Sequence, residues 1–320
     1  MTTPRRPLGS TGIEIAPLVL GTNVFGWTAD EPTSFAILDA FVDAGFNALD
    51  TADSYSHWAP GNVGGESETI IGRWLRRNPA KRDRVQLFTK VGSGMPGTGG
   101  KKTLKKEWIL RAVEDSLRRL HVERIDLYQA HWPDPDTPFE ETLAAFQELL
   151  CAGKVRAIGA SNLDAAQLAE ALRVADANGL ARYETLQPEY NLYDRAKFDG
   201  ALRDLCIREG LGVITYYSLA SGFLTGKYRS RDDLGQSARG GGVARYLDAR
   251  GGRILAALDA VAARHEAAPA AVALAWVMQR EGVTAPIASA TSVAQLASLV
   301  RAAELRLTAD DVRALDSASA

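Results

Sequence analysis

Short apolar runs alternate along this chain with longer segments in which apolar residues recur at helical spacing. The eight runs with strand character are residues 18–21, 48–50, 85–90, 125–129, 157–160, 185–187, 212–216 and 285–289. Between two of them, Ile109, Val113 and Leu117 mark a helix face that can pack on the outside of a sheet. Such alternation is typical of βα units on a parallel sheet.

The number of strand candidates distinguishes two α/β architectures. Eight strands favour a closed (β/α)8 TIM barrel, because a doubly wound sheet usually has about five to seven strands and a glycine-rich turn after the first. Residues 21–26 read Gly-Thr-Asn-Val-Phe-Gly, which is not the GxGxxG spacing of that turn. We therefore expect a single barrel domain over residues 1–320.

Three segments depart from the repeated βα pattern. Residues 8–15 predict a β-hairpin with a glycine-bearing turn, which we expect to close the bottom of the barrel. Residues 218–252 form a long connection rich in Gly, Ser and Arg, and such loops are usually functional lids or disordered. Only residues 307–320 follow the last barrel helix, predicted over 293–303, so we expect an open mouth.

Composition and charge exclude several classes of partner. The chain has 46% hydrophobic and 24% charged residues and a net charge of −2, without a basic stripe for nucleic-acid phosphates. The first 17 residues lack a secretory apolar run, and no run approaches the roughly 18 apolar residues of a membrane helix. We expect a cytoplasmic protein with neither a nucleic-acid nor a membrane partner.

Cysteines and histidines are few and dispersed. Cys151 and Cys206 both fall in helical apolar patterns, so we expect reduced packing residues in a core that needs no disulfide. The four histidines are His57, His121, His131 and His265. Because no Cys/His cluster has the spacing of metal ligands, we expect no metal site.

Polar or aromatic side chains occur at the ends of nearly all predicted strands, where barrel enzymes carry their chemistry. They are Asp50, Lys90, His131, Ser161, Asn162, Gln187, Tyr216 and Ser289. Each also has a structural explanation: Asp50 and Asn162 could cap the next segment, and Lys90 could reach solvent. Their coincidence at one face of the barrel favours a functional site.

Tyr55 lies five residues after Asp50, in the loop that follows the second strand. A phenol has a pKa near 10, which is high for a general acid, but a nearby ammonium stabilises the phenolate and lowers that pKa. We expect Lys90 to supply the ammonium and Asp50 to hold it. His131 is then placed to donate a hydrogen bond to a carbonyl oxygen.

Several ordered stretches carry a family resemblance. They include Leu-Gly-Ser-Thr-Gly (8–12), Leu-Asp-Thr-Ala-Asp-Ser-Tyr (49–55), Phe-Thr-Lys (88–90), Gly-Ala-Ser-Asn (159–162), Gln-Pro-Glu-Tyr-Asn (187–191) and Tyr-Tyr-Ser-Leu-Ala-Ser-Gly-Phe-Leu-Thr-Gly-Lys-Tyr (216–228). Their order and spacing resemble the aldo-keto reductase family from residue 8 to about residue 292. No single stretch is specific, but the ordered set is.

The resemblance implies reduction of aldehydes or ketones by hydride transfer from NADPH or NADH. It places Tyr55 as the proton donor, with Asp50, Lys90 and His131 completing a tetrad. It also implies that Ser161, Asn162 and Gln187 bind the nicotinamide carboxamide and that Tyr216 stacks on the ring. Further positions matching the cofactor site, most of them around the pyrophosphate, are Gly21, Ser218, Leu219, Ser221, Gly222 and Lys227.

The last strand and helix depart from the family pattern. Many members carry there a lysine and an arginine that bind the adenosine 2′-phosphate, whereas this chain has Ser289 and Gln295, with Ser292 between them. Hydroxyls and an amide lack the strength of charge-assisted hydrogen bonds. Either Lys227, Arg239 or Arg301 compensates, or NADH is accepted; we expect NADPH with a moderate preference over NADH.

The substrate side and two alternative functions stay open at this point. Four aromatic residues near strand ends, Phe25, Trp27, Trp58 and Trp132, are expected to line a pocket for an apolar or sugar-like carbonyl compound. One alternative is an aldolase that forms a Schiff base on Lys90. The other is a nicotinamide-nucleotide-binding sensor or regulatory subunit with slow or no turnover.

Overall fold

The computed structural model describes residues 4–320 and confirms the predicted barrel. Eight parallel strands close in the spatial order β10-β3-β4-β5-β6-β7-β8-β9. They are β3 (Val19–Gly21), β4 (Ala48–Asp50), β5 (Gln86–Val91), β6 (Ile125–Ala130), β7 (Val155–Ser161), β8 (Thr185–Gln187), β9 (Gly212–Thr215) and β10 (Ala285–Ala288). Their ends differ from the predicted ends by no more than two residues.

Helices surround the barrel and bury their apolar stripes against the strands. They are α1 (Glu31–Asp43), α2 (Glu66–Arg77), α3 (Lys106–Leu120), α4 (Phe139–Cys151), α5 (Ala165–Asn178), α6 (Ala201–Arg208), α7 (Gly240–Val243), α8 (Ala249–Arg264), α9 (Pro269–Met278), α10 (Val293–Val300) and α11 (Ala309–Ser319). Local signals set several boundaries. For example, Asp164 and Gln167 form a capping box at the start of α5, and Gly179 ends that helix in a left-handed conformation.

The predicted hairpin is present and closes the amino-terminal end of the barrel. Strands β1 (Arg6–Pro7) and β2 (Glu14–Ile15) pair antiparallel. Leu8, Ile13 and Ile15 are buried in the same interior cluster as Val19 and Ala48, the first residues of β3 and β4. The hairpin therefore fills the barrel from below and leaves the carboxyl ends of the strands free for a site.

The long connection after β9 is ordered rather than disordered. Residues 218–248, here called the strap, contain helix α7 and three 3-10 turns, Ala220–Thr225, Arg231–Gln236 and Ala244–Tyr246. Phe223 and Tyr246 stack at 5.3 Å, and Arg229 makes a bidentate ion pair with Asp259 of α8. Residues 249–252 already belong to the first turn of α8.

The carboxyl-terminal segment packs on α8, and within residues 4–320 no residue after Leu299 lines the cavity at the barrel mouth. Helix α11 packs against α8, where Asp311 accepts hydrogen bonds from Arg264 and His265.

Within residues 4–320, no helix is both long enough and apolar enough to cross a membrane.

The two cysteines differ in environment. Cys206 is buried in α6, and burial raises its thiol pKa to about 12. Cys151 is exposed at the end of α4, so the prediction that it is a packing residue is wrong. The apolar pattern placed Cys151 on α4 but did not show that the helix turns this last residue toward solvent.

Gly9 provides a test of the hairpin's role in stability. Its φ is +57°, and a Cβ there would contact the backbone nitrogen of Gly212 and lie 2.6 Å from the Glu184 carbonyl oxygen. Gly61 is a matched control, because its φ is +85° and a Cβ would meet nothing within 4 Å. Both Gly→Ala variants carry a left-handed backbone cost of roughly 1–2 kcal/mol. In urea unfolding, Gly9→Ala should lower the free energy of unfolding by about 1–3 kcal/mol more than Gly61→Ala does. Equal losses in the two variants would contradict this account.

Candidate active site

Four side chains predicted to form a tetrad meet at the carboxyl end of the barrel. Asp50 ends β4, Lys90 lies near the end of β5, and His131 follows β6. Tyr55 reaches them from the loop after β4. The Lys90 ammonium donates to Asp50 Oδ2 at 2.7 Å, to the Thr51 carbonyl at 2.8 Å and to Tyr55 Oη at 2.8 Å. All three of its N–H groups therefore have acceptors.

This ion pair is buried, since the side chains of Lys90 and Asp50 are each only 1% exposed. Removing two charges from water is costly unless the remaining donors and acceptors are also satisfied. Gln187 Nε2 donates to Asp50 Oδ1 at 2.8 Å, and the Tyr55 hydroxyl donates to Asp50 Oδ2 at 3.3 Å. Burial still lowers the pKa of Lys90, although the Asp50 carboxylate opposes that shift.

The environment of Tyr55 corrects one expectation. Burial raises the pKa of its phenol well above 10, and the Asp50 carboxylate raises it further. The expected net lowering of this pKa is therefore wrong for the protein alone, because burial outweighs the stabilisation that the Lys90 ammonium, 2.8 Å away, gives to the phenolate. The sequence identified the neighbouring cation but not the desolvation of the phenol. Tyr55 is held as a protonated phenol, with a proton to give.

His131 is held as a neutral imidazole. Burial lowers its pKa well below 6.5, and the cations of Lys90 and Lys102 lower it further. Its ring lies 6.0 Å from the Tyr55 ring, and within residues 4–320 its Nδ1 has no hydrogen-bond partner. A neutral imidazole beside a protonated phenol can donate a hydrogen bond to the same acceptor.

The tetrad opens into a cavity of about 840 Å³ at the barrel mouth. Of the predicted cofactor positions, those that line it are Gly21, Asp50, Ser161, Asn162, Gln187, Tyr216, Ser218, Leu219, Ser221, Gly222, Lys227, Arg239, Ser289 and Gln295. Ser292 is not among these lining residues. Its hydroxyl instead caps α10 by accepting from the backbone N–H of Gln295 at 3.2 Å.

Hydrogen bonds fix the polar groups on one side of this cavity. The Tyr216 hydroxyl donates to Asn162 Oδ1 at 2.6 Å, which restrains the Tyr216 ring. The Ser161 hydroxyl donates to the Gln187 carbonyl at 2.7 Å, and Asn162 Nδ2 donates to the His131 carbonyl at 2.9 Å. These bonds connect the cavity wall directly to the tetrad.

The strap brings two cations into the cavity. Within residues 4–320, neither Arg239 nor Lys227 forms an ion pair with a carboxylate. Arg239 is partly buried, which lowers its pKa, and it donates to Asn23 Oδ1 at 3.0 Å. Ser289 donates to the same oxygen at 2.9 Å. Two cations without a carboxylate partner, one partly buried (Arg239) and one exposed (Lys227), fit the phosphate groups of a nucleotide.

Sequence reasoning missed Asn23, which ties the strap to β10 through Arg239 and Ser289. Its position two residues after β3 is a strand-end signal that could have found it. The family-like stretch 216–228 also contains Tyr217, directly after Tyr216, but the sequence did not identify Tyr217 as a cavity residue. The structure places Tyr217 in the cavity wall with 46% of its surface exposed.

The four predicted pocket aromatics have different positions. Trp58 and Trp132 line the cavity, and Trp58 is 43% exposed. Phe25 is 0% exposed and belongs to the hydrophobic core, so the prediction that it lines the pocket is wrong. Trp27 lies edge-on against Trp58 at 5.8 Å and is not among the residues that line the cavity. The loop turns Phe25 inward, which residue spacing alone does not show.

Metal-binding chemistry has no geometric support in the part of the chain that the structure describes. Among residues 4–320, no group of three or more His, Cys, Asp or Glu side chains is arranged to hold a metal ion.

Comparison with known proteins agrees with this geometry. The model of the Aldo/keto reductase family matches residues 17–320. The Bacillus subtilis (strain 168) protein described as uncharacterized oxidoreductase YrpG is 34% identical over 318 residues, covering 97% of this chain and 94% of that protein. Aldo-keto reductase YhdN of the same organism is 37% identical over 224 residues, covering 69% of this chain and 63% of that protein.

A further relative is described as a probable voltage-gated potassium channel subunit beta of Arabidopsis thaliana. It is 34% identical over 222 residues, covering 69% of this chain and 65% of that protein. The match over nearly the whole chain and the barrel itself lead to one conclusion. The chain belongs to the aldo/keto reductase family, whose members are oxidoreductases that use NAD(P)H to act on small carbonyl substrates.

Proposed function

We propose that this chain reduces aldehydes or ketones to alcohols with NAD(P)H, and that Tyr55 is the general acid. The observation that carries the proposal is the Lys90 ammonium, which contacts both Asp50 and the Tyr55 hydroxyl at the floor of an open cavity. Membership of the family supports the reaction class. The direct experiment is to incubate the protein with NADPH or NADH and a panel of carbonyl compounds while following the loss of nicotinamide absorbance.

The residues divide the work on the carbonyl oxygen. A bound reduced nicotinamide supplies the hydride. Neutral His131 donates a hydrogen bond that positions the oxygen, and Tyr55 delivers its proton there. Lys90 Nζ, 2.8 Å from the Tyr55 oxygen, stabilises the phenolate that remains, and Asp50 keeps Lys90 in place.

The cavity offers partners for each part of the cofactor. Ser161, Asn162 and Gln187 would bind the carboxamide, and the restrained Tyr216 ring would support the nicotinamide. Ser218, Leu219, Ser221 and Gly222 would surround the pyrophosphate, and Gly21 lines the same cavity. Lys227 or Arg239 would supply positive charge to the adenosine 2′-phosphate, which NADH lacks. Ser289 and Gln295 would lie near the adenosine. Within residues 4–320, the only lysine and arginine side chains that line the cavity are those of Lys227 and Arg239. We therefore propose NADPH with a moderate preference over NADH.

The alternative functions differ in support. A Schiff-base aldolase needs a free Lys90 amine, but its three N–H groups already contact acceptors in a buried ion pair. A nucleotide-binding sensor or regulatory subunit retains support from the relative described as a channel subunit. Tight cofactor binding without oxidation of NADPH by any carbonyl compound would favour the sensor.

Replacing Tyr55 with phenylalanine tests the proton donor. Tyr55→Phe removes the hydroxyl but keeps the ring, so cofactor affinity should persist while kcat falls by about 10²–10⁴. Tyr128→Phe is the matched control, because the Tyr128 hydroxyl is buried elsewhere and has no hydrogen-bond partner among residues 4–320. Near-normal turnover of Tyr55→Phe would rule out this role.

The strap cations are tested by titrating both cofactors. Arg239→Ala or Lys227→Ala should weaken NADPH more than NADH, and a preference carried by one charge-assisted bond should be about tens to a few hundredfold. The preference should also shrink as salt rises. Arg229→Ala is the matched control, because Arg229 is also in the strap but pairs with Asp259. Equal affinity for the two cofactors in the unaltered protein would refute the preference.

The buried neutral His131 predicts an acid-sensitive fold. Its pKa is depressed in the folded protein, so its contribution to stability is present above the unfolded pKa of about 6.5 and is lost as pH falls toward the folded pKa. The free energy of unfolding should therefore decline below about pH 6.5, and this decline should be smaller for the His131→Asn variant. Parallel pH profiles for the two proteins would contradict a depressed pKa.

A further inference from the structure

Tyr217 has a backbone conformation that side chains of its size rarely adopt. Its φ is +51°, in the left-handed region where a bulky residue is an outlier. The fully buried Asn191 holds it there, because Asn191 Nδ2 donates to the Tyr217 carbonyl at 3.1 Å. Such strain persists only where the surroundings impose it, and it occurs preferentially at functional sites.

This conformation directs the Tyr217 ring into the cavity beside the tetrad. The ring lines the cavity and packs against Tyr216 at 5.1 Å. Tyr55 and Arg239 line the same cavity. Burial is the main influence on the pKa values of Tyr55 and Arg239, and the Tyr217 phenol adds an upward influence on both.

Two indoles form the other walls of the same space. Trp58 lies 6.2 Å from the Tyr55 ring, and Trp132 stacks on His131 at 6.1 Å with an interplanar angle of 19°. Lys102 Nζ lies 4.0 Å from the centre of the Trp132 ring. Among residues 4–320, no ring contact joins Tyr217 to Trp58 or Trp132. All three rings line the same cavity as Tyr55, so the space that they share is open and lies next to the proton donor.

We propose that Tyr217, Trp58 and Trp132 form an aromatic slot that selects aromatic aldehydes and ketones, with Tyr217 as a specificity-determining residue. This inference rests on the proposed carbonyl reduction. A planar ring in the slot gains offset or edge-to-face contacts beyond its buried area. An open-chain sugar would instead lose hydration of its hydroxyls against the faces of three rings. The slot thus distinguishes the apolar from the sugar-like substrates that the sequence left open.

The test compares kcat/KM for benzaldehyde, butanal and glyceraldehyde with NADPH. The unaltered protein should prefer benzaldehyde. Tyr217→Ala should lower the ratio of kcat/KM for benzaldehyde to that for butanal by about tenfold, mainly through KM. Tyr217→Phe keeps the ring and should hold that ratio within about threefold, since an aromatic contact does not need the hydroxyl.

Two results would overturn the slot: a preference for butanal or glyceraldehyde in the unaltered protein, or an unchanged ratio in Tyr217→Ala. If Tyr217→Ala displaces the strap, its NADPH affinity will fall. Trp58→Ala, in a different loop, must then lower the same ratio, and failure to do so overturns the proposal. Reduction without aromatic preference refutes the slot alone, whereas no reduction of any carbonyl compound refutes the proposed function as well.

Discussion

The buried ion pair between Lys90 and Asp50 is the interaction on which the rest of the site depends. Two charges this far from water are stable only when their remaining donors and acceptors are satisfied. Thr51, Tyr55 and Gln187 provide those partners. Asp50, Lys90 and Gln187 come from β4, β5 and β8, so the hydrogen bonds among them join strand ends across the barrel. The bond from Lys90 also fixes the position of the Tyr55 hydroxyl. Structural and chemical requirements therefore coincide at this pair.

Burial also sets the protonation states around the pair. It holds Tyr55 as a phenol and His131 as a neutral imidazole, so one group has a proton to deliver and the other a hydrogen bond to donate. The strap provides a contrasting environment on the same cavity, where Arg239 and Lys227 have no carboxylate partner within residues 4–320. The cavity thus has a charge-balanced floor at Lys90 and Asp50 and a cationic wall at the strap, which is the arrangement that the proposed proton transfer and cofactor binding require.

Much of this arrangement was predictable because its signals are local. Strand runs end in Asp50, Lys90 and Gln187, and the barrel rule brings such ends together. The pKa of Tyr55 was not predictable, since it depends on desolvation. The positions of the Phe25 and Tyr217 rings were not predictable either, because they depend on the loop backbone. That backbone directs the Phe25 ring into the core and, with a left-handed φ at Tyr217, the Tyr217 ring into the cavity. Asn23 has a strand-end position that the sequence shows, but its hydrogen bond from Arg239 joins residues distant in sequence and was not predictable.

A double-mutant cycle on single-turnover reduction tests the central claim most directly. It compares the unaltered protein with Lys90→Met, Tyr55→Phe and the double variant, each saturated with NADPH and a reactive aldehyde. If Lys90 acts on the reaction through Tyr55, the account predicts strong non-additivity: once the phenol is gone, removing the ammonium should change the rate by less than about threefold. Additive losses from the two substitutions would contradict the account, because they would show that the ammonium and the phenol act independently.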